Sequence, residues 1–301
     1  MSKVSILIPS RGETYEVAPG VTVLQRMVQD IYEKATGEFE VLVAFDGPPY
    51  QCLPDYPNLT RLELPYAGLK PAVNEAARLA TGKYLLKLDS HCMVSLGIDE
   101  ALQVGMEDNW MVVPRFYTLD AENWRWQDER FCDYWMLDCP LTDPKGYRFK
   151  AGGYWRERTQ ARLDITPLDE TLTHHGSAWF VERDFFLNCL GGMSSEGYGN
   201  MFMEPAELGL KTWLGPWYGK VMVNKACWYA HMHKGGTRPR GYGISMTEVR
   251  RSYEWTAKYW MENQWEQRVH DLGWLIDKFW PIPTWPEDWR EREAARREVE
   301  V

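Results

Sequence analysis

Short runs of apolar residues alternate with amphipathic stretches through the first 115 residues of the chain. The apolar runs cover residues 4–8, 39–45, 60–64, 84–88 and 110–114, and each is followed by polar residues, glycine or proline. Such runs are typical of strands that are buried on both faces of a parallel sheet. Between them, apolar residues recur at helical spacing near residues 21–31 and 73–80, and Gly37 and Gly82 are helix stop signals. The pattern predicts an α/β fold with a mostly parallel sheet flanked by helices.

The regular pattern is lost between residues 116 and 173, which are rich in Trp, Tyr and charged residues. We expect an irregular excursion across a site there. Regular structure is predicted to resume with a strand at 177–181, helices near 184–190 and 205–214, a strand at 220–223 and a helical C-terminal region. We therefore divide the chain into an α/β half at residues 1–115, a second half of the same domain at 116–240 and a helical extension at 241–301.

The composition is that of a globular protein, with 45% hydrophobic residues and a net charge of −9. The negative charge argues against non-specific coating of nucleic acid, while leaving room for a local basic groove. The sequence has no run of roughly 18 apolar residues, as a membrane helix needs, and its first residues lack the pattern of a secretion signal. The six cysteines include no CxxC pair and are predicted to be reduced thiols. We expect a cytoplasmic protein without a membrane span, and we predict no oligomeric state.

Polar residues follow three of the predicted strands directly. Ser10 and Arg11 follow the first strand, Asp46 ends the second, and Asp89-Ser90-His91 follows the fourth. The carboxyl ends of parallel strands meet at one edge of a sheet, and ligands bind in the crevice beyond that edge. We therefore expect these residues to converge on one site.

Asp89 and His91 are candidate metal ligands because residues two apart in an extended segment point to the same side. One carboxylate oxygen and one imidazole nitrogen suit a divalent ion that also binds diphosphate oxygens. The alternative is an aspartate that caps a turn beside an incidental histidine. His231 and His233 are spaced in the same way and are candidates for a further ligand, the alternative being an ordinary polar loop.

The segment at residues 68–94, GLKPAVNEAARLATGKYLLKLDSHCMV, combines a helix start, an alanine-rich helix, an apolar strand and Asp-Ser-His. Other segments follow it or precede it in a recognisable order: the polar loop after residue 8, Asp46-Gly47, the run GSAWFVERDFF at 176–186, the helix start at 204–207 and the late histidines. Together they resemble the nucleotide-sugar glycosyltransferases of the GT-A fold, especially the polypeptide N-acetylgalactosaminyltransferases. The resemblance spans about residues 4–235.

The resemblance implies an activity and a set of site residues. A UDP-sugar would be the donor substrate, and Mn²⁺ or another divalent ion such as Mg²⁺ would be bound by Asp89, His91 and His231, with His233 as the alternative to His231. Glu204 would stand by the reacting centre, unless it is only an acid that the helix dipole favours. The donor-binding residues that the resemblance implies are Pro9, Ser10, Arg11, Asp46, Lys70, Asp89, Ser90, Gly176, Ser177, Ala178 and Trp179.

One motif departs from the polypeptide transferases, because Met203-Glu204-Pro205 stands where they have Trp-Gly-Gly-Glu-Asn. A peptide acceptor and the stereochemical outcome are therefore not predicted. The chain is closer to compact family 2 enzymes of bacteria and phages. Among these it resembles phage enzymes that glycosylate hydroxymethylated pyrimidines in DNA, such as those associated with ten-eleven translocation dioxygenases.

Basic and aromatic residues interleave between residues 145 and 162, and a second basic run lies at 234–240. Cations among aromatic rings suit a phosphodiester strand and a flipped base, so Trp155, Arg156 and Arg158 are predicted to bind the acceptor. Our main hypothesis is transfer of a hexose or N-acetylhexosamine to 5-hydroxymethylcytosine in phage DNA. The alternatives are a solvated loop neutralised by neighbouring acids, a transferase for a bacterial saccharide or lipid carrier, and a non-catalytic carbohydrate-binding protein of the same fold.

Overall fold

The structure, a computed structural model, describes residues 1–49, 52–235, 238 and 240–300. Its strands are β1 (Val4–Ser10), β2 (Glu16–Ala18), β3 (Val21–Thr22), β4 (Phe39–Asp46), β5 (Leu59–Leu64), β6 (Tyr84–Leu88), β7 (Cys92–Val94), β8 (Trp110–Asp120), β9 (Arg125–Cys132), β10 (Trp135–Asp138), β11 (Lys150–Tyr154), β12 (Leu168–Glu170), β13 (Ala178–Glu182) and β14 (Lys220–His231). Its helices are α1 (Val23–Lys34), α2 (Leu69–Leu79), α3 (Ile98–Ala101), α4 (Arg156–Ala161), α5 (Glu204–Leu214), α6 (Met246–Met261), α7 (Leu272–Lys278) and α8 (Trp289–Glu300).

Ten of the strands form one central sheet. Eight of them follow the order β12-β14-β8-β13-β6-β1-β4-β5, with β7 beside β14 and β9 beside β8. The strands β6, β1, β4 and β5 are parallel, as the apolar runs predict. Strand β13 is antiparallel to both β6 and β8, whereas β14 runs parallel to β8. The predicted α/β fold is confirmed, and its parallel part carries the carboxyl ends that form the site.

Side-chain alternation along β1 divides the core between the two faces of the sheet. Leu7 joins the core cluster that includes Val73 of α2, while Ile6 and Ile8 join the cluster that includes Met27 of α1. All seven residues of β1 are buried, because helices cover this part of the sheet on both sides. The strand is therefore held rigidly at the point where its last residues reach the site.

Residues 116–173 contain more regular structure than the sequence predicts. The expectation of an irregular excursion is therefore wrong for most of this stretch. This stretch holds the end of β8, all of β9 to β12 and α4. Strand β8 continues to Asp120 because β9 and β14 supply partners that are remote from its own sequence. Strand β14 likewise continues beyond the predicted end at residue 223, across an irregularity between Asn224 and Trp228. The helix predicted near 184–190 is a single π-helical turn, Phe185–Cys189.

The C-terminal region is helical, as predicted. Trp260 of α6, Leu275 of α7 and Trp285 after it are buried in the same core cluster as α5. The indole Nε1 of Trp285 also donates to the carbonyl oxygen of Leu137 at 2.6 Å. The extension therefore packs on the second half of the domain, residues 116–240. No helix within the described residues is long and apolar enough to cross a membrane, and all six cysteines are free thiols.

Candidate active site

A cavity of about 330 Å³ lies where β1, β4 and β6 end. It brings together twelve residues that the sequence predicts for the site. They are Pro9, Ser10, Arg11, Asp46, Asp89, Ser90, His91, Gly176, Ser177, Glu204, His231 and His233. The convergence expected from the strand ends is thus present.

Asp89, His91 and His231 form the one cluster among the described residues that is arranged to hold a metal ion. One ligand atom from each side chain lies within 4.8 Å of the others, and Nε2 of His231 lies 3.3 Å from Oδ2 of Asp89. Strand pairing produces this meeting, because His231 of β14 is directly opposite Cys92 of β7, next to His91. His233 lines the same cavity, but its Nε2 lies 3.3 Å from the hydroxyl of Tyr154. The structure therefore places His231, and not His233, in the cluster.

The protonation states of this cluster suit a metal ion. Burial lowers the pKa of His231 to about 3, so its imidazole is neutral near pH 7. For Asp89, burial opposes ionisation, but Lys87 and the neighbouring histidines outweigh it and hold the pKa well below its usual range. Neutral imidazole and ionised carboxylate are the forms that bind metal. Nδ1 of His231 is buried without a hydrogen-bond partner among the described residues, and the contact of Nε2 is with Oδ2 of Asp89, itself a candidate ligand.

Glu13, which the sequence analysis did not select, orients one of these ligands. Its Oε2 accepts from the Ser90 hydroxyl at 3.1 Å and lies 3.2 Å from Nδ1 of His91. It also pairs with the ammonium group of Lys234. A carboxylate on one imidazole nitrogen fixes the ring and leaves the other nitrogen for a metal ion. Burial would raise the pKa of Glu13, but His91 and Lys234 outweigh burial and lower it.

Arg11 and Asp46 form the polar part of the cavity next to the parallel strands. Oδ1 of Asp46 accepts from the backbone N–H groups of Ala67 and Gly68 at 2.7 and 3.0 Å, and Oδ2 lies 3.4 Å from Nη1 of Arg11. The guanidinium of Arg11 lies between the rings of Tyr66 and Tyr242, at 4.8 and 5.0 Å from their centroids. Aromatic rings beside a fixed guanidinium can hold a flat base or a phosphate.

Glu204 is the first residue of α5 and is almost completely buried. Its carboxylate accepts from Nε1 of Trp179 at 3.2 Å and from Nζ of Lys87 at 3.2 Å. A Cβ at Gly176 would lie 3.4 Å from the carboxyl carbon, an ordinary contact, so Gly176 borders this carboxyl group. Burial raises the pKa of Glu204 despite the nearby lysine. Glu204 does stand at a helix terminus, where the helix dipole favours an acid. Its hydrogen bonds with Trp179 and Lys87 show that it also has specific partners at the cavity.

The opposite wall of the cavity is mainly apolar. It includes Met201, Phe202, Gly152 and Tyr253. Phe202 and the adjacent Met203 have φ values of 64° and 61°, which is unfavourable for two consecutive residues with side chains. Such backbone strain is maintained by surrounding packing and tends to occur at functional sites.

Six predicted site residues do not line the cavity. Lys70 is buried and pairs with Glu207 at 3.0 Å, and Ala178 and Trp179 lie in the core. Trp155 is also a core residue, while the guanidinium of Arg158 packs over its ring and those of Tyr134 and Phe279. Arg156 is exposed at the start of α4. The sequence pattern of cations among aromatics thus reflects packing for Arg158 and Trp155.

Sequence reasoning also missed residues that contact the site. Lys87 is the one charged residue of the otherwise apolar strand β6, and that contrast was the available signal. Glu13 ends the polar loop after β1, where the spacing alone does not show its contact with His91. For Phe202, Tyr242 and Tyr253, no local pattern in the sequence indicates a position at the cavity.

Two solved structures are similar to this chain, and the first of them shares its fold. A crystal structure of GalNAc-T7 with UDP, GalNAc and Mn²⁺ matches with a TM-score of 0.67 and 15% identity, over 100% of this chain and 55% of that chain. A crystal structure of S. aureus TarS matches with a TM-score of 0.45 and 13% identity, over 77% of this chain and 37% of that chain. The protein has the GT-A fold of nucleotide-sugar transferases, and it spans about half the length of the GalNAc-T7 chain.

The family follows from the sequence. Residues 5–188 match the family described as "Glycosyl transferase family 2", which is more than half of the 301 residues. The chain therefore belongs to glycosyl transferase family 2. Among curated proteins, none matches its sequence significantly.

Proposed function

We propose that the protein is a metal-dependent glycosyltransferase that moves a hexosyl or N-acetylhexosaminyl group from a UDP-sugar to an acceptor hydroxyl. The observation that carries this proposal is the cluster of Asp89, His91 and His231 in a cavity at the strand ends. Membership of family 2 supports the reaction class. The presence of UDP, GalNAc and Mn²⁺ in GalNAc-T7, which shares the fold, supports the type of donor and metal.

Each part of the cavity has a role in this scheme. Asp89, His91 and His231 would hold a divalent ion, which when bound offsets negative charge on the leaving diphosphate. Arg11, Asp46 and the rings beside Arg11 would bind the nucleotide, together with Pro9, Ser10 and Ser90. Gly176 and Ser177 would border the sugar. Glu204 would stabilise positive charge or accept a proton near the transferred sugar.

The first test concerns the donor. The protein is incubated with a panel of UDP-sugars, with and without Mn²⁺, and release of UDP is measured. We expect slow hydrolysis of one or two UDP-sugars that requires the ion. Binding of a sugar without any hydrolysis or transfer would instead support a non-catalytic carbohydrate-binding protein.

For the acceptor, we propose 5-hydroxymethylcytosine in DNA, such as that of a phage. Arg240 and Lys234 line the cavity, and Phe202 and Tyr253 offer rings against which a flipped base can stack. The test uses DNA with 5-hydroxymethylcytosine, digestion to nucleosides and mass detection of an added hexose or N-acetylhexosamine. Arg240→Glu and Arg156→Glu should each lower transfer to DNA and preserve hydrolysis of the donor, because cations bind phosphates of the acceptor.

A saccharide or lipid-carrier acceptor is the second candidate. The apolar wall at Met201 and Phe202 favours this candidate. Trp155, which the sequence predicts to bind DNA, is instead a core residue and does not line the cavity. If no UDP-sugar modifies single- or double-stranded DNA, this candidate replaces DNA. The two arginine variants should then transfer to the saccharide as well as the unchanged protein does.

A further inference from the structure

Lys87 is a fully buried lysine in the middle of the sheet. Its Nζ donates to Oδ1 of Asp89 at 2.6 Å, to the carbonyl oxygen of Gly176 at 2.6 Å and to Oε2 of Glu204 at 3.2 Å. An ammonium group has three N–H donors, and these three acceptors account for them. The three acceptors belong to the metal-ligand cluster, the segment before β13 and the start of α5.

The ion pair of Lys87 with Glu204 could be purely structural, because a second buried ion pair occurs in the same helix. One turn further along α5, Glu207 pairs with the fully buried Lys70 at 3.0 Å, and Lys70 also donates to the carbonyl oxygen of Ser194. Both pairs attach α5 to the body of the protein, as buried charges require partners. The Lys70 pair contacts no member of the metal-ligand cluster. Lys87 differs because it occupies one of the two oxygens of Asp89.

This contact determines how Asp89 can bind an ion. The ammonium group of Lys87 lies 2.6 Å from Oδ1 and repels a second cation from that oxygen, which directs the ion to Oδ2, 3.3 Å from Nε2 of His231. Ca²⁺ takes 6–8 oxygen ligands and often uses both oxygens of a carboxylate, whereas Mg²⁺ demands near-ideal octahedral geometry. A carboxylate restricted to one oxygen therefore disfavours the larger ion.

We propose that Lys87 is a positioning residue that restricts Asp89 to one coordinating oxygen and so makes the site prefer small six-coordinate ions such as Mn²⁺ over Ca²⁺. This inference rests on the proposed metal-dependent function. It assigns Lys87 no contact with the substrate. Its effect is exerted through Asp89, and it is measurable without turnover.

The experiment measures the dissociation constants of Mn²⁺ and Ca²⁺ by calorimetry, on the full chain in the presence of UDP. In Lys87→Met, Oδ1 of Asp89 is released, and we expect the preference for Mn²⁺ over Ca²⁺ to fall about tenfold, the scale typical of changes next to a metal ligand. Loss of the lysine charge acts on both divalent ions in the same direction. The ratio of the two constants therefore reports the coordination of Asp89 and not the change in charge.

Glu207→Gln is the matched control, because it alters the neighbouring buried pair without touching Asp89, and its ratio should equal that of the unchanged protein. If Lys87→Met does not fold, the double variant Lys87→Met/Glu204→Gln removes both charges of the pair and still frees Oδ1, so the same fall is expected. An unchanged ratio in a folded variant overturns the proposal for Lys87 alone. Failure of the unchanged protein to bind either ion with UDP overturns the proposed function, and this inference with it.

Discussion

The two walls of the cavity are built in different ways. On the side that we propose for the donor, Asp46 ends β4 and Asp89 follows β6, and their carboxylates accept from backbone N–H groups or from Lys87. On the side that we propose for the acceptor, Phe202 and Met203 lie in a strained left-handed turn, and Gly152 approaches the carbonyl oxygen of His174. The proposed donor wall carries charges that have hydrogen-bond partners, whereas the proposed acceptor wall is apolar around Phe202 and depends there on packing.

The difference indicates what each wall can recognise. Fixed charges at strand ends suit a ligand whose own charge is constant, such as a diphosphate with its ion, because no reorganisation is needed on binding. An apolar wall in a loop contributes shape and stacking, which change with a few side chains. Substitutions on the donor side should therefore affect every reaction of the protein. Those on the acceptor side should affect transfer more than hydrolysis of the donor.

The largest effect should come from the metal-ligand cluster. Asp89→Ala, His91→Ala and His231→Ala should each reduce metal-dependent donor hydrolysis by roughly 10²–10³-fold, as loss of a group that stabilises charge in the transition state does. Circular dichroism should show a folded chain in each case. His233→Ala is the control, and it should retain most of the activity. Loss of activity in His233→Ala with retention in His231→Ala would show that the other histidine is the ligand.

Glu204 lines the same cavity, and its replacement should separate binding from turnover. Glu204→Gln should lower kcat by about 10²-fold and leave the Kd of the donor nearly unchanged, because the charge is needed in the transition state. Rapid-quench kinetics and titration with UDP measure the two quantities. Normal transfer by this variant would reduce Glu204 to an acid at a helix terminus.

The same contrast explains which site residues could be predicted from the sequence. The apolar runs and the polar residues at their ends were sufficient to find Asp46, Asp89 and His91, since strand direction alone brings such ends together. Lys87 was missed because its contact with the site depends in part on Glu204, which is 117 residues away in the sequence. Phe202 and Tyr253 were missed because tertiary packing, not periodicity, places them at the cavity. Trp155 and Arg158 match the alternation of cations and aromatic rings that is typical of nucleic-acid binding. In the structure Trp155 packs in the core, and Arg158 packs over aromatic rings.

His174, which is fully buried next to Gly152 of the cavity, should make stability depend on pH. Burial lowers its pKa to about 4, below the ordinary value of about 6.5 in the unfolded chain. The unfolded state therefore binds the proton more readily, and stability is lost as the pH falls from about 6.5 towards 4. Between pH 7 and pH 5 this histidine should account for about 2 kcal/mol.

The measurement is urea unfolding of the metal-free protein at both pH values. His174→Asn keeps an amide that can donate to the carbonyl oxygen of His175, as Nδ1 does at 3.1 Å, but it cannot be protonated. Its loss of stability on acidification should be smaller than that of the unchanged protein by about 2 kcal/mol. Other buried histidines contribute equally to both proteins and cancel in the difference. Equal losses would mean that His174 is charged or solvated in the folded state.

The smallest effect should come from the strained turn of the acceptor wall. Phe202→Ala removes the ring but keeps a Cβ in a left-handed residue, whereas Phe202→Gly removes both. The glycine variant should therefore be more stable than the alanine variant by about 1 kcal/mol, measured by urea unfolding. Both variants should raise the KM for the acceptor to the same extent and leave donor hydrolysis unchanged, because the ring belongs to the wall that we propose for the acceptor and the backbone strain does not bind ligand. Should the alanine variant be the more stable of the two, the strain at residue 202 is absent. A loss of donor hydrolysis in either variant would show that the turn also positions Glu204. The two walls would then not act independently.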